Sequence, residues 1–223
     1  MKRLAFIILV SAVFAACTKK SNQIDTNDIY QVIRIEYHED INQTHVKYKL
    51  KRKKESGASI EFVDGDQVSI MGIIQSYEGA GSYPYEAEFY NFIDSVYTTV
   101  THKGTTINNY GLIGNVYAIQ IPSTLTVYKN YSWYFTWTGM PIMGSNDEIK
   151  IEIINSANSV VLTQKNRSSD YNDITIYSSQ MNDLSGYHKI RVTRTREMPL
   201  IMTTGSGGRI EMVYIDEDYV NFI

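Results

Sequence analysis

Apolar and polar residues alternate one for one along most of this chain, and no stretch sustains a helical period. In Val46-Lys47-Tyr48-Lys49-Leu50-Lys51 the apolar side chains fall on one side and the lysines on the other. Successive side chains of a strand point to opposite faces, so such a pattern describes strands with one face buried. The alternation predicts strands at Tyr30–Tyr37, Thr44–Leu50, Gln67–Ile73, Asp94–His102, Val116–Ile121 and Leu125–Tyr128. It continues at Tyr131–Thr138, Glu148–Ile154, Val160–Gln164, Asp173–Tyr177, His188–Thr195 and Arg209–Tyr214. Turn residues separate them: Glu55-Ser56-Gly57, Asp64-Gly65, Lys103-Gly104, Gly139 to Pro141 and Gly205 to Gly208. Many short strands at this spacing predict an all-β chain built as a sandwich or barrel. The 18 tyrosines suit half-buried pleated surfaces.

The beginning of the chain follows a different rule. Met-Lys-Arg precedes LAFIILVSAVFAA and Cys17: a positive start, an apolar run of about a dozen residues, then small residues. A run of that length is a secretory leader, since a membrane-spanning helix needs roughly 20 apolar residues. Ala15-Ala16-Cys17 resembles the lipobox of bacterial lipoproteins, with Phe14 where Leu is usual, and the resemblance implies lipidation of Cys17. Cys17 is the one cysteine in the sequence, so a disulfide-free body must rely on burial for stability. Removal of residues 1–16 takes away Lys2 and Arg3 and leaves 207 residues with 19 basic and 24 acidic groups. That balance excludes nucleic acid as a partner and predicts no strongly basic face for anionic lipid; anchoring falls to the acyl chains. The polar residues 17–28 are expected to be a flexible tether.

About 200 residues fit two sandwiches of roughly 100 each. Pro122 separates two strand-like runs, and seven strands follow it. The expected units are an N-terminal β-sandwich over 29–121 and a C-terminal immunoglobulin-like β-sandwich over 122–223. Leu184-x-Gly186-x-His188-x-Ile190 resembles the immunoglobulin tyrosine corner, with His188 at the Tyr position and Ile190 at the Cys position. With YSWYFTWTG at Tyr131–Gly139 and DITIYSSQMNDLSGYHKIRVTR after it, the layout resembles Bacteroidota envelope lipoproteins with tandem immunoglobulin-like antiparallel sandwiches. Members of that class are mostly of unknown role. The resemblance implies attachment to the outer membrane. Lys19 and Lys20, where surface-exposed members carry acidic residues, imply a periplasm-facing body.

No catalytic constellation stands out. His38, His45, His102 and His188 lack metal-ligand spacing, and neither His-Glu-x-x-His nor Gly-x-Ser-x-Gly occurs. No enzyme, metal or cofactor is expected. Gly205-Ser206-Gly207-Gly208 reads as a hairpin loop, and Asp216-Glu217-Asp218 as a solvated acidic turn. The lysines of 47–54 are expected to guard an exposed edge strand, or to dock on an acidic partner or phosphate-bearing glycan. Tyr131, Trp133, Phe135 and Trp137 are expected on one buried face. Tyr77, Tyr83 and Tyr85 lie in a Gly/Pro-rich stretch and are the candidate ligand-binding residues, able to stack on sugars or hold a protein partner. Asp94-Ser95-Val96 resembles a Bacteroidota O-glycosylation site, with Ser95 as the acceptor. The expected role is a non-catalytic, lipid-anchored envelope protein that binds or helps assemble another envelope component, with carbohydrate binding as the alternative.

Overall fold

A computed structural model describes residues 18–79, 82–114, 118–122, 125–168 and 170–223. The expected leader 1–16, Cys17 and the first two residues of the strand expected at Val116–Ile121 lie outside the described residues.

The chain is all-β. Its strands are β1 (Thr18–Lys20), β2 (Ile29–His38), β3 (Gln43–Arg52), β4 (Ser59–Glu61), β5 (Gln67–Ile70), β6 (Ile73–Gln75), β7 (Tyr85–Phe89) and β8 (Ser95–His102). There follow β9 (Thr105–Leu112), β10 (Leu125–Val127), β11 (Trp133–Thr136), β12 (Asp147–Ile154), β13 (Val160–Asn166), β14 (Asp173–Ile176), β15 (Gly186–Pro199) and β16 (Gly208–Phe222). A single helical turn, α1 (Ser178–Met181), separates β14 from β15.

One sheet runs through both expected units. Its strands lie in the order β1-β4-β3-β2-β16-β15-β12-β13, with β7 also on β3 and β10 also on β16. The long strand β16 is the joint. From Arg209 to its end it pairs antiparallel with β15, from Gly186↔Phe222 to Pro199↔Arg209. On its other side Gly208–Ile215 pair parallel with β2, and Val220–Phe222 pair parallel with β10. The hydrogen-bonded sheet therefore has no break at residue 121, where the boundary between units was expected.

Two smaller sheets, β6-β5-β8-β9 and β11-β14, contribute to the core beneath it. Ile33, Ile35 and Tyr48 of the large sheet share one apolar cluster with Val68, Val96 and Val100 of the first small sheet. Ile151, Ile190 and Val192 share it with Phe135, Ile174 and Ile176 of the second. Gly111 marks the closest approach: a Cβ there would run into Ile35 and press on Ile210. The segment joining the halves is drawn into the same core, with Ile119 and Ile121 buried. Its backbone is held by Asp216 Oδ2, which accepts a hydrogen bond from the Ile121 N–H at 2.9 Å.

Several expectations are corrected by this arrangement. Gln67–Ile73 is two strands, because Met71 and Gly72 take positive φ (53° and 80°) and reverse the chain between β5 and β6. Paired positive φ values give the two-residue turn whose twist matches a hairpin. Strand β3 has partners on both sides, β2 on one and β4 and β7 on the other, so its lysines guard no free edge. Asp216–Asp218 belong to β16 rather than to a turn.

Residues Thr18–Asp28 are not a flexible tether either. Thr18–Lys20 pair with β4, Ser21 and Ile24 are buried, and Ser21 Oγ accepts from the Val63 N–H at 3.1 Å. The Ile24 carbonyl accepts from Lys103 Nζ at 2.7 Å and lies 3.1 Å from His102 Nε2. A polar composition alone does not keep a segment free when its backbone groups find such partners.

Beneath β12 and β15 lies a fully buried ion pair. Arg194 Nε and Nη2 donate to Asp147 Oδ1 and Oδ2 at 3.0 and 2.6 Å. Arg194 also donates to the carbonyls of Met140 and Pro141, both at 2.9 Å, and Asp147 accepts from the Met143 N–H at 3.0 Å. The pair fixes the 140–143 loop over the end of the core. Removing one partner strands the other charge in a dry site. Arg194→Ala is therefore expected to destabilise the fold by about 3–5 kcal/mol in chemical denaturation; a loss below about 1 kcal/mol would show that the site is wet.

Candidate functional site

Alternation gives the long sheet an outer face made of charge. On β2 the inward residues Ile29, Ile33 and Ile35 are buried, so Arg34, Glu36 and His38 point the other way. The registers set these beside like-facing residues of neighbouring strands. Lys47, Arg34, Glu211 and Glu197 form one row across four strands. His45, Glu36, Val213, Thr195 and Glu148 form the next. Further along, Glu217, Arg191 and Glu152 line up across β16, β15 and β12.

Opposite charges in these rows satisfy one another. Glu36 takes a hydrogen bond from Lys47 Nζ at 2.6 Å and a second from Arg34. Arg34 Nη1 reaches Glu211 at 2.7 Å. Arg191 and Lys189 hold Glu217 at 2.5 and 2.8 Å, and Lys150 holds Glu152 at 2.9 Å. Burial opposes ionisation of Glu36, but hydrogen bonds from His38, Lys47 and Arg34 outweigh it and hold its carboxyl well below the usual range.

Two hollows flank Arg34 on this face. The larger, with a volume of about 530 Å³, lies between His38, His45 and Lys47 on one side and Lys150, Glu152 and Arg191 on the other. The smaller, about 270 Å³, is bounded by Asn146, Glu148, Arg167 and Glu197. His38 and His45 sit side by side at 5.0 Å between ring centroids, with Glu88 3.5 Å from His45 Nδ1. Among the described residues no group of three or more His, Cys, Asp or Glu side chains could hold a metal ion. A small anion entering either hollow would have to displace carboxylates already paired to the cations. A surface presenting both signs of charge could exchange partners with them row by row.

The tyrosines singled out in the sequence do not share a face. Tyr85 opens β7 opposite Tyr48 and is buried (1 % exposed), its ring edge-on to Tyr77 at 5.6 Å. Its hydroxyl accepts from the Phe62 N–H at 2.9 Å. Tyr85 therefore cannot stack on a ligand: the Gly/Pro-rich stretch ends in a strand, and alternation turns this ring inward. Tyr77 is half-buried against it. Tyr83 alone reaches the charged face, where Lys49 Nζ lies 4.7 Å from its ring centroid and Glu211 3.4 Å from its hydroxyl.

Ser95 opens β8, half-buried, opposite Leu112. Phe135 and Trp137 are buried as expected, Trp133 is partly buried against Phe135 and Phe222, and Tyr131 is exposed because it precedes β11. His188 packs edge-on against Phe222, and its Nδ1 lies 3.3 Å from the Gly186 carbonyl. Sequence reasoning missed the charged face as a unit. Its signal was present in Arg34, Glu36 and His38 and in Lys150 and Glu152, the polar half of two alternating strands, but pairing across 177 residues cannot be read from spacing. No protein-family model matches the chain, and no curated protein matches it.

Asp216, on the opposite face, is the group whose titration the fold alters most usefully. Burial, together with the charges of Glu39 and Asp218, pushes its carboxyl up from 3.8 to about 6, against the hydrogen bond from Ile121. The folded state thus binds more protons than the unfolded chain between about pH 4 and 6. This contribution to stability is complete below pH 4 and is lost as pH rises through 6. Asp216→Asn keeps an acceptor for the Ile121 N–H and removes the buried charge. It is expected to raise Tm at pH 7 and to flatten the change in Tm between pH 4 and 6; an unchanged pH profile would contradict the assignment.

Proposed function

We propose that this chain is a non-catalytic, lipid-anchored envelope protein that binds or helps assemble another envelope component through the outer face of its long sheet. The observation that carries the reading is that face itself: a broad field of paired, mostly part-buried charges, opposite the apolar core and spanning both halves of the chain. Its breadth and mixed charge suit a partner surface of complementary charge better than a small molecule. The leader and the lipobox-like Ala15-Ala16-Cys17 support export and anchoring, and Lys19 and Lys20 support a periplasm-facing position on the outer membrane. The two smaller sheets support a body of two immunoglobulin-like sandwich units, joined through β2 and β16 rather than strung on a linker.

Two experiments test this reading. Cys17→Ser is expected to move the protein from the membrane to the soluble fraction on cell fractionation; retention in the membrane would remove the anchor from the account. A photo-crosslinking residue placed at Thr195, in the middle of the charged face, is expected to trap one discrete envelope partner in intact cells. The same probe at Tyr97, on the other side of the molecule, is expected to trap none. Equal labelling from both positions would contradict a partner-binding role for the charged face.

A further inference from the structure

The strand registers place Thr18, Ser59, Lys51, Tyr30 and, one position on, Gly208 in a row across five strands. Strands lie about 4.8 Å apart, so the row is about 19 Å wide. Thr18 is bonded directly to Cys17, and Thr18–Lys20 are fixed in the sheet rather than free. An acyl chain on Cys17 would therefore hold this end of the sheet within a few ångströms of the bilayer, because consecutive Cα atoms are about 3.8 Å apart.

What lies beyond that row is suited to such a position. The turn after β3 exposes Arg52, Lys53 and Lys54. The turn is rigid, since Lys53 N–H donates to the Asp28 carbonyl at 2.6 Å and Arg52 N–H to the Ala58 carbonyl at 2.9 Å. The acids nearby are Asp28, at 4.0 Å from Arg52 and 3.7 Å from Lys53, and Glu55, which is turned toward Arg209 at 2.7 Å and Lys49 at 3.6 Å. Next to this turn the β15–β16 loop is tied to the same end, with Ser206 Oγ donating to the Asn27 carbonyl at 2.7 Å and Thr204 Oγ1 to the Ile29 carbonyl. That loop leaves Ile201 and Met202 exposed, at 57 % and 47 %.

We propose that this end is a membrane-seated surface: Arg52, Lys53 and Lys54 meet the phosphate groups of anionic lipid while Ile201 and Met202 enter the interfacial layer. The proposal rests on the lipid anchor at Cys17. Basic and apolar side chains side by side are the combination that binds an anionic lipid surface, and each kind adds to the hold of the acyl chains. The overall acidic balance of the chain hides this, because the basic tip is a local feature of one turn. Seated in this way, the long sheet stands up from the membrane with its charged face directed sideways, open to a partner in the same compartment.

The test uses the full-length lipidated protein, whose mature form has no thiol other than the acylated one, so that an introduced cysteine can be labelled selectively. Lys54→Cys and Met202→Cys report on the proposed end, and Asp40→Cys, in the β2–β3 turn, reports on the far end. Each is given an environment-sensitive fluorophore and reconstituted in vesicles of phosphatidylcholine alone or with a third phosphatidylglycerol. Labels at 54 and 202 are expected to be shielded from an aqueous quencher at least fivefold more than the label at 40 in the phosphatidylglycerol vesicles. Arg52→Gln, Lys53→Gln and Lys54→Gln combined, or 0.5 M salt, are expected to abolish the shielding of the label at 202 while leaving the protein on the vesicles. Vesicle-bound protein with equal quenching at all three positions would overturn the proposal and leave the anchor intact. Shielding that is the same without phosphatidylglycerol would overturn the role of the basic turn. Protein that fails to associate with any vesicle would instead refute the anchor on which the proposal rests.

Discussion

Everything in this molecule depends on the pairing of β16. Of its 15 residues, Arg209–Phe222 are paired with β15 on one side, and on the other it meets two strands, β2 for the first half and β10 near the end. A backbone strand buried in a sheet must satisfy its N–H and C=O groups on both edges. Here one strand meets that requirement with partners from both ends of the sequence. Neither half can complete its layer without it. The short stretch Asp216–Tyr219, where the second partner changes from β2 to β10, is where the linking segment docks through Ile121. Chain connection and sheet continuity meet at one carboxylate, and its raised pKa records the burial this requires.

The two faces of the sheet handle charge in opposite ways. On the inner face Arg194 and Asp147 are sealed from water and must saturate each other and the loop carbonyls around them. On the outer face the pairs are numerous and graded: Glu36 and Glu211 are buried beneath part-exposed Arg34 and Lys47, while Glu148 is met by exposed Lys165 and Arg167. The first arrangement fixes a loop. The second ties neighbouring strands together through charges that satisfy one another across the sheet.

Much of the architecture was legible in the sequence because alternation is a local property. Strands β2, β3, β8, β12, β13 and β15 and the first half of β16 fall on expected runs, and the inward set Val46, Tyr48 and Leu50 is completely buried. Strand β9 was missed because Thr-Thr-Ile-Asn-Asn-Tyr-Gly-Leu carries few apolar residues, its inner face being completed by Asn109 and Gly111. Strand β7 was missed because Gly79, Gly81 and Pro84 just before it read as loop. Long-range partnership was not legible at all. Nothing in the spacing of Arg209–Tyr214 indicates that it lies beside Val32–Tyr37, and this parallel pairing joins the two halves in one long sheet and sets its charged rows.

If β16 is the joint, the two halves cannot unfold apart. Calorimetric unfolding of the full chain in detergent tests this most directly. The account predicts one transition whose calorimetric and van't Hoff enthalpies agree. Two resolved transitions would contradict it, and would restore a picture of independent units joined end to end.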